Sequence, residues 1–342
     1  GLTETTVPAA LAARMRSSVL FAGALLSVGG SVKIPLPGGC PLGERPINYH
    51  LWAFEQLGAK CLASDGYYEI FWERPRGAVL EFPHVSVGAT ENAILTACGA
   101  DGTTTISNAA REPEIADLQL FLQKAGVRIA GAGSSTVTVC GGLPGRGCEH
   151  RCLGDRIAAA TYLSAAAAAG GEIFLRGVDY RHLSTVTTAL RQAGCRVESE
   201  KDAVRLTAPA RLRAIPPVRT SPYPGFPTDA QAVLMAALLR SCGTTVFVEN
   251  MFDSRYRHVP ELVRLGADIR TEGRVAVVCG TERLYGARVR AADLRGGAAL
   301  VLAGLQAEGT TEVEQIHHIE RGYADLVGDL HALGAEIRLR EA

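Results

Sequence analysis

Apolar residues along this chain switch between two rhythms, and the switch repeats. Ala-rich stretches of helical character give way through a small turn to alternating strand patterns, as from Ala97-Cys98-Gly99 into Thr103–Ile106 and from Ala307-Glu308-Gly309 into Thr311–Ile316. About thirty residues further on, a second helix is predicted to end at a glycine, with a strand behind it. The five copies are Gln56-Leu57-Gly58-Ala59, Lys124-Ala125-Gly126-Val127, Gln192-Ala193-Gly194-Cys195, Arg264-Leu265-Gly266-Ala267 and Ala332-Leu333-Gly334-Ala335. Their glycines lie 68, 68, 72 and 68 residues apart. Each stands where a helix C-terminus calls for a left-handed residue, which glycine supplies without steric cost.

Each unit therefore reads helix, strand, helix, strand, often with a further strand such as Ser135 to Cys140. Such alternation buries helices against sheets in a layered α/β architecture, and the phase of about 68 residues does not resemble the short repeats of helical solenoids. Two domains are expected, 1–154 with two repeats and 155–342 with three. Five is an odd number for two repeat-built domains, so a sixth unit is expected to be missing from the first.

Composition narrows the class. Apolar residues reach 47% and aromatics only 6%, which suits tightly packed helices on sheets. Lys plus Arg and Asp plus Glu balance at 35 each, so nothing in the bulk charge points to nucleic acid. Any anion site must come from local arginines. Nine cysteines, an odd number without paired spacing, fit a reducing cytoplasm better than a disulfide framework. Cys148 and Cys152 around His150 suggest a metal only weakly, and a strand-end cysteine beside a linker is the blander reading. The longest apolar run, Ile157 to Ala169, is too short to span a bilayer.

First helices of the units begin at Ser86, Asp155, Asp229 and Asp293, all preferred N-cap types. Helix N-termini gathered at one end would also make a field that suits anions. An arginine precedes every second helix: Arg45, Arg111, Arg181, Arg255 and Arg321. Repetition argues that some of these serve local pairing, yet arginine forks are the natural partners of phosphates and carboxylates. Arg16 and Arg295 join the first helices, and a cation among Ala, Ser and Leu is costly without a partner. From Leu36 to Pro46, prolines and glycines exclude regular structure and place Cys40 at a loop tip. Arg45 nearby could lower the thiol's pKa and make it reactive.

In combination these segments resemble the UDP-N-acetylglucosamine enolpyruvyltransferase family. The resemblance rests on Pro37-Gly38-Gly39-Cys40 through Gly43-Glu44-Arg45-Pro46 with Asn48-Tyr49-His50, on Ser86-Val87-Gly88-Ala89-Thr90, on Asn108 to Ile115, on Phe226-Pro227-Thr228-Asp229, on His258 to Leu262, and on His318 to Tyr323. These motifs occur in family order over essentially the whole chain.

The resemblance implies an inverse α/β barrel with two domains of three repeats. It implies transfer of the enolpyruvyl group of phosphoenolpyruvate to the 3′-hydroxyl of UDP-N-acetylglucosamine, with release of phosphate. That is the first committed step of cytoplasmic peptidoglycan synthesis, and it ties the family to cell wall biogenesis, cell shape, the cell cycle and cell division. It implies Cys40 as the proton donor to the C3 methylene and the site alkylated by fosfomycin, Asp229 as the carboxylate facing the attacking hydroxyl, and Arg321 as an anion clamp. Arg16 and Arg45 match further anion-binding arginines, as do Arg156, Arg255 and Arg295. Pro46, Ile47, Asn48 and Tyr49, then His84, Val85, Ser86, Val87 and Gly88, and Met251, match positions that hold uridine, diphosphate and sugar. No metal, organic cofactor, nucleic acid or membrane partner is implied; the partners are the two small-molecule substrates.

Three departures from the family pattern matter. An N-terminal Lys-Asn pair that meets phosphoenolpyruvate is absent, His84 stands where lysine is common, and Asn48 stands where aspartate is common. Two alternatives stay open: the shikimate 3-phosphate enolpyruvyltransferase and a non-catalytic paralogue that binds the nucleotide sugar.

Overall fold

The computed structural model describes residues 2, 4–39, 42–43, 45–142 and 145–340. The chain forms two compact units. One comprises Gly1–Cys40, Glu44–Leu153 and Pro222–Pro224; the other comprises Pro41–Gly43, Gly154–Ser221 and Gly225–Ala342.

One sheet pattern recurs in both. In the first unit, β1 (Ser31–Pro35), β2 (Ala59–Ser64) and β3 (Tyr67–Trp72) lie in the order β1-β3-β2, all antiparallel. Next come β4 (Val79–Glu81), β5 (Gly102–Ser107), β6 (Arg128–Ala130) and β7 (Thr136–Gly141), ordered β4-β5-β7-β6, with only β4 and β5 parallel. The second unit repeats both layouts. Its β8 (Glu172–Arg176), β9 (Arg196–Glu200) and β10 (Ala203–Thr207) take the order β8-β10-β9. Its β11 (Val218–Arg219), β12 (Thr244–Val248), β13 (Asp268–Glu272) and β14 (Val275–Cys279) take the order β11-β12-β14-β13. Two parallel pairs complete the last repeat: β15 (Leu284–Tyr285) with β17 (Ala307–Glu308), and β16 (Arg288–Arg290) with β18 (Glu312–Glu314).

The repeat glycines behave as their spacing demands. Gly58, Gly126, Gly194, Gly266 and Gly334 have φ of 95, 97, 104, 93 and 98°, each just past a second helix. The fifth copy differs from expectation, because among the described residues no strand follows Gly334. Ala307-Glu308 also departs from the reading as a helix end. The helix Leu294–Gly304 has already stopped, and Ala307–Glu308 pairs with Leu284–Tyr285 instead.

First helices form the interior. In the second unit Arg156–Ala169, Thr228–Ala237 and Leu294–Gly304 pack on one another. From Ala230 to Ala237 every residue is buried, so this helix is enclosed all round. Small side chains allow that close approach, which accounts for an apolar chain with few aromatics. In the first unit, Leu20–Gly29 packs on Val87–Cys98. The contact is tight enough that a Cβ on Gly23 would lie 2.6 Å from Asn92 Oδ1. No helix among the described residues is long and apolar enough to cross a membrane.

Candidate active site

Three interior helices of the second unit bring their first turns together. Arg156 opens one, Asp229 lies in the first turn of the next, and Arg295 lies in that of the third. Asp155 and Asp293 cap their helices as the sequence suggests, each accepting two backbone N–H bonds. Asp229 does not. Its helix starts at Thr228 with Pro227 at the cap position, which offers no side-chain bond.

The Asp229 carboxylate goes instead to two guanidiniums. Oδ1 accepts from Arg255 Nη2 at 2.8 Å, and Oδ2 lies 3.5 Å from Arg295 Nε. Arg255, which opens a short 3-10 turn (Arg255–His258), is 2% exposed and Arg295 10%, whereas Asp229 keeps 42% of its side chain open. Burial pushes the Asp229 carboxyl up, but the charges and hydrogen bonds of Arg255 and Arg295 outweigh it and hold the group below the ordinary value. Burial lowers Arg295, and the charge of Asp229 more than restores it. The guanidinium of Arg295 also stands 5.3 Å over the ring of Tyr323, whose hydroxyl meets Thr161 Oγ1 at 2.8 Å. Among the described residues, Arg295 Nη1 and Arg255 Nε are buried without a hydrogen-bond partner. Such donors are expensive to leave unpaired, and an anion is what would satisfy them.

A buried carboxylate fixes the neighbouring loop. Glu249 accepts from Thr220 Oγ1 (3.0 Å), Thr228 Oγ1 (2.9 Å), Met251 N (2.6 Å) and Phe252 N (3.0 Å). It therefore ties half-exposed Met251 to the start of the helix that carries Asp229. Arg321 is exposed, and its charge is felt at His318. Sequence reading missed Glu249 and gave His258 no role of its own. Burial and the charge of Arg255 keep His258 neutral, with nearby Asp293 opposing them. A lone glutamate at a strand end carries no sequence signal; only its four donors reveal it.

In the first unit a second group of predicted residues converges. Arg16 lies in a 3-10 turn ahead of Leu20–Gly29 and donates to the carbonyls of Arg45 and, at 3.3 Å, Pro46. Burial and the neighbouring charge of Arg45 both lower its pKa. Ile47 is buried, Tyr49 half-buried, and Asn48 and Pro46 exposed, as the helix Asn48–Gln56 begins. Ser86 caps the helix Val87–Cys98 through Ala89 N, behind exposed His84 and half-buried Val85. Gly88 lets His50 close on this first turn, since a Cβ there would lie 3.2 Å from its Cε1.

The proton position on His50 follows from Asn92. Gly23 N–H donates to Asn92 Oδ1 at 3.0 Å, so Nδ2 faces Val19 O (2.9 Å) and His50 Nδ1 (2.8 Å). His50 Nδ1 must accept, which leaves the ring proton on Nε2. Burial and the charge of Arg16 push this histidine down to about 4. Two arginines, a neutral imidazole donor and a capped helix N-terminus make a place suited to an anion. The predicted donor Cys40 lies outside the described residues.

Comparisons with known proteins identify the family. Residues 1–330 match the family model described as EPSP synthase (3-phosphoshikimate 1-carboxyvinyltransferase). A UDP-N-acetylglucosamine 1-carboxyvinyltransferase 1 of Caldanaerobacter subterraneus subsp. tengcongensis is 44% identical over 336 residues, covering 98% of this chain and 81% of that protein. One from Zymomonas mobilis is 45% identical over 340 residues, covering 98% and 79%. Among solved structures, the enolpyruvyl transferase NikO from Streptomyces tendae superposes with a TM-score of 0.85 at 26% identity, over 100% of this chain and 81% of that one. EPSP synthase from Acinetobacter baumannii shares the fold at a TM-score of 0.72 and 18% identity, over 95% of this chain and 78% of that one. The two-domain α/β fold is therefore that of the enolpyruvyl transferases, and the chain belongs to the UDP-N-acetylglucosamine 1-carboxyvinyltransferases within the EPSP synthase family.

Proposed function

We propose that this enzyme transfers the enolpyruvyl group of phosphoenolpyruvate to the 3′-hydroxyl of UDP-N-acetylglucosamine, opening cytoplasmic peptidoglycan synthesis and so serving cell wall growth, cell shape and division. The observation that carries the reading is Asp229, relieved of capping and held between Arg255 and Arg295. In the addition step the hydroxyl oxygen bonds to C2 of phosphoenolpyruvate and its proton passes to the Asp229 carboxylate. Cys40 delivers a proton to C3, giving a tetrahedral ketal. Loss of a C3 proton then restores the double bond as phosphate leaves with the C2–O electrons.

Arginines carry the charge through both steps. Arg295 and Arg255, with spare buried donors, and Arg156 and Arg321 serve phosphoenolpyruvate and the departing phosphate. A carboxylate held this low is a weak base. An anion that draws Arg255 and Arg295 toward itself leaves Asp229 less compensated and more basic, so substrate binding readies the acceptor. In the first unit, Arg16 and Arg45, the His50 Nε2–H and the turn from Ser86 to Gly88 suit a diphosphate. Pro46 to Tyr49 with His84 and Val85 suit the nucleoside.

Phosphate release measured with each acceptor tests the assignment. Turnover with UDP-N-acetylglucosamine and none with shikimate 3-phosphate is expected. The opposite preference would transfer the chain to the shikimate branch, and tight nucleotide-sugar binding without turnover would make it a binding protein.

A further inference from the structure

The segment that leads out of the first unit carries Cys148, His150 and Cys152 at alternate positions, and none belongs to the site described above. It runs along the helix Pro113–Lys124, where Asp117 and Phe121, four residues apart, share a face. His150 stands edge-on to the Phe121 ring, with centroids 5.7 Å apart. Its Nε2 lies 3.1 Å from Asp117 Oδ1, and its side chain is only 9% exposed. Nδ1 is buried and has no hydrogen-bond partner among the described residues. Cys152 completes the group: one ligand atom from each of Asp117, His150 and Cys152 falls within 4.8 Å of the others.

The nitrogen offered to a cation is Nε2, which faces Asp117, and the ring proton would then rest on Nδ1. Two ligands on one tetrahedral zinc, with bonds of about 2.0–2.1 Å, stand roughly 3.3 Å apart, close to the observed separation of His150 and Asp117. Cys152 is exposed, so it can swing the remaining distance at little cost. We propose that Asp117, His150 and Cys152 bind a divalent cation of the zinc class, with water in the fourth position. The mixed oxygen, nitrogen and sulfur set favours zinc over magnesium or calcium, which prefer oxygen alone. On binding, the Cys152 thiol gives its proton to solvent as the sulfur–metal bond forms. The cation would pin this exit segment to its helix.

Zinc titrated into the chelator-stripped chain, in competition with a chromogenic chelator, tests the site. One zinc per chain is expected above any general thiol binding. Cys152→Ser and His150→Gln should each weaken it by at least about tenfold, while Cys148→Ser and Cys242→Ser leave it unchanged. Cobalt(II) should give a thiolate charge-transfer band that Cys152→Ser removes. Cys152 is exposed, so that variant should keep its fold, which the metal-free melting temperature checks. Equal affinity in wild type and Cys152→Ser, or loss in Cys148→Ser instead, would overturn the assignment.

Discussion

Replacing Asp229 with asparagine preserves shape and removes one charge from a group of three. As a helix cap the residue would tolerate this, because asparagine caps about as well as aspartate. The structure gives a different expectation. Arg255 is 2% and Arg295 10% exposed, and both face the Asp229 carboxylate. Deleting one partner of a fully buried pair costs about 3–5 kcal/mol, whereas exposed pairs are worth about 0–1. With 42% of Asp229 open to water, the loss should fall between, at about 1–3 kcal/mol. For a unit of this size that is a fall of roughly 2–12 °C in melting temperature.

The pH dependence gives the sign. Asp229 has a folded pKa below its unfolded one, so its contribution is full above about pH 4 and fades as pH falls through the folded value. The stability gap between wild type and Asp229→Asn should be flat from about pH 5 to 8 and close in stronger acid. Turnover should drop about 10²–10⁴-fold, with nucleotide-sugar binding retained. Calorimetry and phosphate-release kinetics on one preparation read both effects. An unchanged melting temperature would refute the counter-charge role, and full activity would refute the role toward the hydroxyl.

The other expectations follow from the same geometry. Arg321→Ala should leave the melting temperature unmoved, since the side chain is exposed, yet lower kcat/KM by about 10²–10³-fold; unaltered kinetics would return Arg321 to a repeat feature. Glu91 is pushed up to about 7 by burial and by the charges of Glu114 and Glu112, so its favourable protonated form is lost as pH rises through 7. Glu91→Gln should therefore raise the melting temperature more at pH 8 than at pH 4, and an equal change at both would remove the carboxyl from the argument. Fosfomycin with the nucleotide sugar should give a single adduct, on Cys40, by mass spectrometry.

How much was legible in the sequence depended on how far a residue's partner lay along the chain. The repeat was readable because its signal is local: a glycine needs its left-handed φ from the helix directly before it, and all five have it. The fifth strand failed because alternation around Ala335 and Ile337 records partial burial, and those side chains pack against the core with no sheet neighbour among the described residues. Networks were silent. His50 finds Asn92 across 42 residues, and Asp117 finds His150 across 33. No spacing rule reaches so far.

Asp229 shows why one residue type at one repeat position can take two fates. Asp155 and Asp293 stand just outside their helices, where the carboxylate folds back onto the backbone N–H groups of the first turn. Ahead of Asp229 the chain reads Phe226-Pro227-Thr228, and the helix starts one residue earlier, at Thr228. Thr228 Oγ1 hands that turn to Glu249 at 2.9 Å, so the start of the helix is anchored without Asp229. The carboxylate is then inside the turn and pointed away from the amides it would have capped. Arg255 also donates to the Thr228 carbonyl at 2.9 Å, so the contact that anchors the turn brings the guanidinium within reach of Asp229. A shift of two positions in where a helix begins thus turns a structural aspartate into one free for chemistry. That difference lies in backbone geometry, and no composition or period could have disclosed it.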